Sequence, residues 1–319
     1  PTRDRRQRQM CIRDSPGGCA IGARPIDIQI DALTKLGATF ELEKGYIQCS
    51  APKGLTGNKI ELPKVSVGAT ENIVMAASLA SGETEISNIA LEPEVIDLIN
   101  CLNTMGAKIE LGDNRSAVIQ GVTTLNGSNY SIIPDRIEAV TYIIAGALAG
   151  DGLKIENLNI EHISNVLETL KTLPVDIIFD ENSVTVNKSN ISEGIEIQTK
   201  EYPGFPTDVQ AQMMVLMSMA KTKSVIDENI FENRFMHVPE LNRMGANIEI
   251  NGKRAIINPC SGFRGAPVMA TDLRASVSLI LAGLAAEGET TLNRIYHLDR
   301  GYEQIEVKLE ACGAEIKRV

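Results

Sequence analysis

The chain has 319 residues, a formal net charge of −10 and six scattered cysteines with no CxxC pair. This length is a soft prior for two domains, each large enough for its own core. The acidic balance, without a basic stripe, disfavours a nucleic-acid partner. No apolar run approaches the roughly 18 residues of a membrane span. The unpaired cysteines and the absence of a secretory signal indicate a reducing cytoplasm rather than a disulfide framework or a zinc site.

Residues 1–15 differ from the rest of the chain. They carry five Arg and two Asp and have no apolar core. We interpret them as a leader outside the fold that resembles a translated adapter sequence, since they are neither a signal peptide nor part of a repeat. The repeat array starts in the middle of a unit at Pro16, so we expect an upstream portion to be missing.

One short pattern recurs about every seventy residues. In each copy a helical stretch reaches a Gly and continues as Ala followed by alternating residues. A Gly here is typical of a left-handed helix C-cap, and the alternation predicts a strand. The copies are LTKLGATFELE (Leu33–Glu43), LNTMGAKIELG (Leu102–Gly112), the degenerate LKTLPVDIIFD (Leu170–Asp180), LNRMGANIEIN (Leu241–Asn251) and LEACGAEIKRV (Leu309–Val319). Repeats of this length indicate an array of one supersecondary unit.

A second motif alternates with the first. It consists of a polar entry, a very apolar helix, a small turn and a β-branched strand, in Val67–Ile89, Pro134–Leu158, Pro206–Ile230 and Ala270–Ile295. Helices this apolar have no solvent face, so we expect them to be buried inside amphipathic sheets. An ordinary doubly wound α/β fold is the alternative, which is disfavoured because no Gly-rich dinucleotide loop follows a strand.

The segment Pro16–Asp27 is the most distinctive local motif. Three glycines surround Cys19, and Arg24 follows five residues later. Open backbone and a nearby cation favour thiolate character and anion binding. A tight turn with an incidental Cys is equally compatible with this segment.

Lys64–Asn72 follows a strand and opens a buried helix. We expect Ser66 and Gly68 to precede the helix N-terminus, where free N–H groups suit phosphate. Since there is one Gly and the Lys comes first, this is not a Walker A loop. An N-cap without a ligand is the more common structure for such a stretch.

Charged residues lie at the mouths of the apolar helices. Asp208, at the end of Tyr202–Asp208, is either a general base or an N-cap. Arg234, Arg274 and Arg300 stand at several strand–helix junctions, and guanidinium groups clamp carboxylate and phosphate. Together they indicate a small, multiply charged anion as ligand. The three His residues lack metal-ligand spacing, and we expect neither a metal nor a cofactor.

The motifs PGGCAIGARPID, LPKVSVGATENI, PDRIEA, YPGFPTD, IFENRFMHVPEL, MATDLRAS and YHLDRGYE, between Pro16 and Val319, resemble those of UDP-N-acetylglucosamine 1-carboxyvinyltransferases. The resemblance implies an inside-out α/β barrel of repeated βαβαββ units in two domains. It also implies transfer of the enolpyruvyl group of phosphoenolpyruvate to the 3-hydroxyl of UDP-N-acetylglucosamine, the step that commits the sugar nucleotide to peptidoglycan synthesis in the cytoplasm. The related 3-phosphoshikimate 1-carboxyvinyltransferases share the fold but lack the Cys loop.

By this resemblance, Cys19 matches the active-site Cys that protonates the enolpyruvyl methylene, and Asp208 the carboxylate that deprotonates the sugar hydroxyl. Arg24 and Arg300 match the clamp for phosphoenolpyruvate, with Arg234 and Arg274 in support. The implied catalytic residues are Cys19, Asp208 and Arg300, and the implied substrate contacts are Arg24, Pro25, Ile26, Asp27, Ile28, Lys64, Val65, Ser66, Val67, Asp208, Ile230, Arg234, Arg274 and Arg300.

The repeat register and the resemblance together predict the domains. Residues 1–15 are the leader, 16–133 the remnant of one domain with the Cys loop, and 134–319 the other domain. Because family members are longer, we expect this piece to be inactive alone. Three alternatives stay open: a non-catalytic repeat scaffold, a thiol-based redox protein built around Cys19, and a 3-phosphoshikimate 1-carboxyvinyltransferase.

Overall fold

The computed structural model describes residues 26–43 and 46–319, and within that part the chain forms two compact units, residues 26–133 and residues 134–319. Cys19, Arg24 and Pro25 lie outside the described residues.

The first unit contains three described helices and six strands. The helices are α1 (Asp27–Lys35), α2 (Val67–Ser78) and α3 (Pro93–Thr104). The strands are β1 (Thr39–Glu43), β2 (Tyr46–Ser50), β3 (Lys59–Glu61), β4 (Glu83–Ser87), β5 (Lys108–Gly112) and β6 (Ser116–Gln120). β1 and β2 form a hairpin, and the other strands form a sheet in the order β3-β4-β6-β5.

The second unit contains six described α-helices and nine strands. The helices are α4 (Arg136–Ala149), α5 (Ser164–Lys171), α6 (Gln210–Ser218), α7 (Val238–Arg243), α8 (Ser276–Leu284) and α9 (Ile305–Ala311). The strands are β7 (Leu153–Glu156), β8 (Ile177–Phe179), β9 (Ser183–Val186), β10 (Glu196–Gln198), β11 (Ser224–Asp227), β12 (Asn247–Asn251), β13 (Arg254–Asn258), β14 (Pro267–Met269) and β15 (Thr291–Asn293). Three sheets result, ordered β10-β11-β13-β12, β7-β9-β8 and β14-β15.

A βαβαββ repeat is directly visible in both units. The segments β3–α2–β4–α3–β5–β6 and β10–α6–β11–α7–β12–β13 have the same element order and the same sheet order. In both sheets the first pair is parallel and the other two pairs are antiparallel. Two further segments, α4–β7–α5–β8–β9 and β14–α8–β15–α9, follow part of the same plan. The predicted α/β fold of repeated units is confirmed, with strands grouped in separate sheets among the described residues.

Four helices end at the predicted glycines. The φ angles of Gly37, Gly106, Gly245 and Gly313 are 101°, 100°, 103° and 96°, a region that favours Gly because no Cβ clashes there. In each copy the next residue, an Ala, donates its N–H to the carbonyl five residues earlier, which satisfies a helix-end acceptor. The strand predicted after the last of these glycines is wrong, because residues 314–319 pair with no described strand. Ala314 and Ile316 of this segment pack on a small core instead.

The apolar helices form the centre of the second unit. α4, α6 and α8 contact one another, and all nine residues of α6 are buried. This confirms the predicted inversion, in which helices lie inside and sheets outside. The helix α2 of the first unit is less buried than predicted, since Met75 and the following Leu79 are 44% and 52% exposed.

Three glycines lie where the first strand of a repeat approaches the second. A Cβ added at Gly57, Gly194 or Gly265 would overlap the carbonyl oxygen of Glu83, Lys223 or Glu289, respectively. These positions therefore need a residue without a side chain. None of the helices in the described part of the chain is long and apolar enough to cross a membrane.

Candidate active site

In the first unit the residues predicted to contact the nucleotide lie at two helix starts. α1 begins at Asp27, directly after Ile26, and α2 begins at Val67, directly after Ser66. α1 and α2 pack together, and a Cβ added at Gly68 would lie 3.7 Å from the side-chain nitrogen of Gln29. Two helix N-termini thus approach each other, which concentrates backbone N–H groups and positive dipole ends in one place.

The side chains at these helix starts differ in whether they are exposed to contact a ligand. Ser66 caps α2 by accepting the N–H of Ala69 at 3.3 Å, so the N-cap interpretation of this residue is confirmed. Ile28 is 6% exposed and belongs to the core, which leaves its backbone as the part that faces outward. Lys64 is exposed just before the cap. Gly68 lies within the first turn of α2, and not before the helix as predicted.

In the second unit three aspartates occupy similar turns before the buried helices. Asp135 accepts the N–H groups of Ile137 and Glu138 at the start of α4. Asp272 accepts those of Arg274 and Ala275 before α8. The Asp135 carboxylate therefore caps α4, and that of Asp272 caps the turn that leads into α8. Asp208 makes no such bond, although it lies in the 3₁₀ turn Thr207–Val209 that leads into α6.

The Asp208 carboxylate instead pairs with Arg234. Nη2 of Arg234 lies 2.6 Å from Oδ1 of Asp208, and Arg234 is the one donor that the described residues supply to this carboxylate. The Arg234 side chain is 5% exposed, whereas that of Asp208 is 43% exposed. A buried cation thus holds one oxygen of a carboxylate that is open to solvent. Such an arrangement leaves the second oxygen able to take a proton from a ligand.

A second ion pair lies in the same unit. Nη2 of Arg274 is 2.7 Å from Oδ2 of Asp135, and Nη1 donates to the carbonyl of Gly301 at 3.1 Å. The guanidinium carbon stands 5.3 Å from the ring centre of Tyr302. Burial opposes the charge on Arg274, but Asp135, Tyr302 and Asp208 together outweigh it and raise the pKa of the guanidinium. The cation is therefore firmly charged and fixed in direction.

Arg300 is exposed and ends the 3₁₀ helix Ile295–Arg300. The next residue is Gly301, whose carbonyl accepts a hydrogen bond from Arg274. The three arginines all lie in strand–helix connections, as predicted: Arg234 between β11 and α7, Arg274 between β14 and α8, and Arg300 between β15 and α9.

A buried polar network joins the two ion pairs, and the sequence analysis missed it. The Tyr302 hydroxyl bonds the Thr141 hydroxyl at 2.9 Å. Nε2 of Gln212 donates to Thr141 at 3.3 Å, to Tyr302 at 3.4 Å and to the backbone carbonyl of Asp208 at 2.9 Å. Burial raises the pKa of Tyr302, so its hydroxyl stays protonated. The sequence signal for this network is the presence of polar residues inside otherwise apolar helices.

Ile230, implied by the resemblance to be a substrate contact, lies in the segment after β11. Its N–H donates to Oε1 of Glu228 at 2.9 Å, so its carbonyl is the group left for a ligand. Glu228 is 1% exposed and was also missed from sequence. The available signal was a Glu directly after a strand, where the other repeats have Asn or Arg.

His237 is fully buried at the N-terminus of α7, where its side chain packs without capping the helix. Burial, and then the charge of Arg234, lower the pKa of His237 to about 3, so the imidazole is neutral. Within the described ranges no three His, Cys, Asp or Glu side chains could hold a metal ion. Cys49, Cys101, Cys260 and Cys312 are free thiols.

Comparison with known proteins identifies the family. The family described as EPSP synthase (3-phosphoshikimate 1-carboxyvinyltransferase) matches residues 11–309. The chain belongs to this family. Two of its relatives are UDP-N-acetylglucosamine 1-carboxyvinyltransferases, from Gluconobacter oxydans at 54% identity and Pelagibacter ubique at 55%. In each case the match spans 304 residues, 95% of this chain and 73% of the relative.

A solved structure agrees with this assignment. The enolpyruvyl transferase NikO from Streptomyces tendae is 28% identical, with a TM-score of 0.85 over 93% of this chain and 73% of NikO. The resemblance inferred from the motifs is therefore confirmed. Within the EPSP synthase family, relatives above half identity support the sugar-nucleotide branch more strongly than the shikimate branch.

Proposed function

We propose that the protein to which this chain belongs carries the transferase activity of its relatives, with UDP-N-acetylglucosamine and phosphoenolpyruvate as substrates and inorganic phosphate as a product. The observation that supports this most directly is Asp208. It is the one of three similarly placed aspartates that does not cap its helix, and a buried arginine fixes one of its oxygens. A carboxylate with one oxygen held and one exposed is suited to remove the proton of a sugar hydroxyl.

The reaction has a simple balance of bonds. The 3-hydroxyl oxygen of the sugar bonds to C2 of phosphoenolpyruvate while a proton adds to C3. The hydroxyl proton leaves through Asp208, and the C2–O bond to phosphate then breaks while a proton is lost from C3, which restores the C2=C3 double bond of the enolpyruvyl group. We assign the proton donated to C3 to Cys19, following the family resemblance, because a thiol in its protonated form can act as a general acid.

The arginines supply the charge that this chemistry needs. We assign Arg24 and Arg300 to the phosphate and carboxylate of phosphoenolpyruvate, with Arg274 in support. Arg274 is held in direction by Asp135 and by the Gly301 carbonyl, so it does not need to reorganise as negative charge moves to the departing phosphate. Arg234 acts through Asp208, whose carboxylate it orients.

The first unit is suited to the nucleotide part of the substrate. The adjacent N-termini of α1 and α2, with Lys64 beside them, form an electropositive surface of the kind that binds diphosphate. We assign Ile26, Asp27, Ile28 and Lys64–Val67, together with Pro25, to this role. The sugar nucleotide and the free thiols also support a cytoplasmic location.

Binding and turnover together test this proposal. UDP-N-acetylglucosamine should raise the melting temperature of the chain, because a ligand that binds the native state stabilises it. Shikimate 3-phosphate is the matched control and should not. Phosphate release from phosphoenolpyruvate should require UDP-N-acetylglucosamine.

Each alternative has its own expected result. Phosphate release that depends on shikimate 3-phosphate would favour the shikimate branch. A folded chain that neither binds the sugar nucleotide nor releases phosphate would favour a scaffold. A reversible loss of free thiol at Cys19 without any ligand effect would favour redox sensing.

A further inference from the structure

The residue after the second strand of each repeat has a recurring conformation with one exception. Asn88 follows β4, Asn157 follows β7 and Arg294 follows β15, and their φ angles are 61°, 60° and 60°. These three non-glycine residues turn the chain through the left-handed region, which is unfavourable for residues with a Cβ. Glu228 follows β11 at the same point and is not among the positive-φ residues.

After β11 the chain turns without a left-handed residue, and the side chain of Glu228 stabilises the turn by hydrogen bonds. Oε1 of Glu228 accepts the N–H groups of Ile230 at 2.9 Å and Phe231 at 3.1 Å, and it also accepts the Thr199 hydroxyl at 3.0 Å. Oε2 accepts the Thr207 hydroxyl at 2.8 Å. The carboxylate is 1% exposed, and no basic side chain in the described part of the chain pairs with it. A buried carboxylate satisfied by four neutral donors is costly to build unless the geometry it fixes is needed.

Three of the four donors come from the two segments that carry candidate site residues, and the fourth is Thr199 after β10. Thr207 directly precedes Asp208, and Ile230 and Phe231 lead to Arg234. Glu228 therefore connects the turn that presents the carboxylate to the segment that presents its arginine. The Asp208–Arg234 contact at 2.6 Å is the direct bond between the same two segments.

We propose that Glu228 is a positioning residue for transfer to the sugar hydroxyl. It holds the Asp208 turn and the 229–231 segment in one fixed relation, so that the Asp208 carboxylate and the Ile230 carbonyl face the same sugar nucleotide. The proposal rests on the proposed function for the identity of that ligand. It adds a residue that touches neither the ligand nor the reacting atoms.

Thr207→Val separates this role from folding. The variant removes the single bond between Oε2 and the Asp208 turn and keeps the three bonds at Oε1 and a β-branched shape. Thr169→Val is the matched control, because Thr169 is a half-buried Thr of the same unit whose hydroxyl bonds the Asn165 carbonyl. Calorimetry with UDP-N-acetylglucosamine, at a temperature at which both variants are folded, should show binding about ten- to a hundredfold weaker in Thr207→Val than in Thr169→Val. Equal affinities would overturn the proposal.

Amide hydrogen exchange provides a readout without a ligand. In Glu228→Ala the amides of Ile230 and Phe231 should exchange at least about tenfold faster than in the parent chain, because they lose a charged acceptor. Should that variant fail to fold, Glu228→Gln, which keeps one carbonyl oxygen for several donors, takes its place and should show a smaller acceleration. Unchanged exchange would overturn the proposal. If the parent chain binds no sugar nucleotide, the proposed function fails, and exchange alone decides the role of Glu228.

Discussion

The two complete βαβαββ repeats share one topology and differ at the junction after their second strand. In the first unit Asn88 turns the chain with a left-handed φ, and its side-chain amide donates to the Leu62 carbonyl at 2.8 Å. In the second unit Glu228 stands at that point and Thr199 takes the place of Leu62, so the junction is built around a buried carboxylate.

The helices that follow the first strands of the two repeats, α2 and α6, also differ at their N-terminal ends. Ser78 and Ser218 bond equivalent carbonyls one turn earlier, and this correspondence aligns Gly68 with Asp208 and Asn72 with Gln212. One repeat thus has backbone at a helix start where the other has a carboxylate. The shared repeat therefore determines the backbone architecture, and the candidate catalytic residues lie where one copy differs from the other.

The largest effect is expected on kcat, and it should distinguish Asp208 from the other aspartates of the second unit. Asp208→Asn should lower kcat by about 10²- to 10⁴-fold, because an amide cannot take the hydroxyl proton. Asp272→Asn, at the similar turn before α8, should instead retain most of the turnover and most of the stability, because Asn caps a turn about as well as Asp. Phosphate-release kinetics measure the turnover, and urea unfolding measures the stability. Equal losses of kcat would mean that Asp208 is only a structural residue.

A comparison of the two junctions comes next in size. Glu228→Ala leaves two amides and two hydroxyls without their acceptor, so the free energy of unfolding should fall by about 3 kcal/mol or more. Asn88→Ala should cost about 1–2 kcal/mol, from one hydrogen bond and the left-handed conformation. Chemical denaturation of both variants would reveal whether the junctions differ as described. Similar losses would remove the distinction.

The second helix of each complete repeat begins after a titratable residue, which is Glu92 before α3 and His237 before α7. Of the two, only His237 is expected to make stability depend on pH near neutrality. The native-state pKa of His237, about 3, is below its unfolded value of about 6.5. Stability from this residue is therefore present above pH 6.5 and is lost as pH falls, by about 1.4 kcal/mol per pH unit.

His237→Gln should flatten the decline in stability between pH 6.5 and 5, measured as melting temperature against pH. His162→Gln is the control, since His162 is only half-buried and bonds Asn159. The same decline in both variants would show that other groups dominate acid sensitivity.

The smallest effect concerns Glu71 of α2, which aligns with the buried Ala211 of α6. Burial, and then Glu94 and Glu92, raise the pKa of Glu71, so its charge destabilises the first unit as pH rises through and above the range in which it ionises. Glu71→Gln should slightly raise the melting temperature at pH 7, and the gain should vanish near pH 4. Asp31→Gln, at an exposed position of α1, should change neither value, and a loss of stability in Glu71→Gln would contradict the assignment.

Local features of the fold could be predicted from sequence, because each depends on residues close together in the chain. The left-handed φ of Gly106 follows from a helix ending at a small residue, and the burial of α6 follows from its composition. The strand after Gly313 was wrong because a strand requires a partner, which local alternation does not supply.

The candidate site was predicted as a set of residue types but not as an arrangement. Asp208 and the arginines were identified individually. Their connections through Gln212, Thr141 and Tyr302 join residues 71 to 161 positions apart, so they exist only after two helices and the turn that holds Tyr302 have packed. The role of Glu228 likewise depends on donors from three separate segments.

The close backbone approach at Gly57, Gly194 and Gly265 restricts how far the repeats can diverge. Each of these glycines lies just before the strand that starts a parallel pair, and even a methyl group there would push that strand away from its neighbour. Loop length, junction chemistry and helix composition can all drift from copy to copy without disturbing that spacing. A mutational scan of this protein should therefore find the same intolerance to alanine at all three positions, although the three repeats carry different candidate site residues.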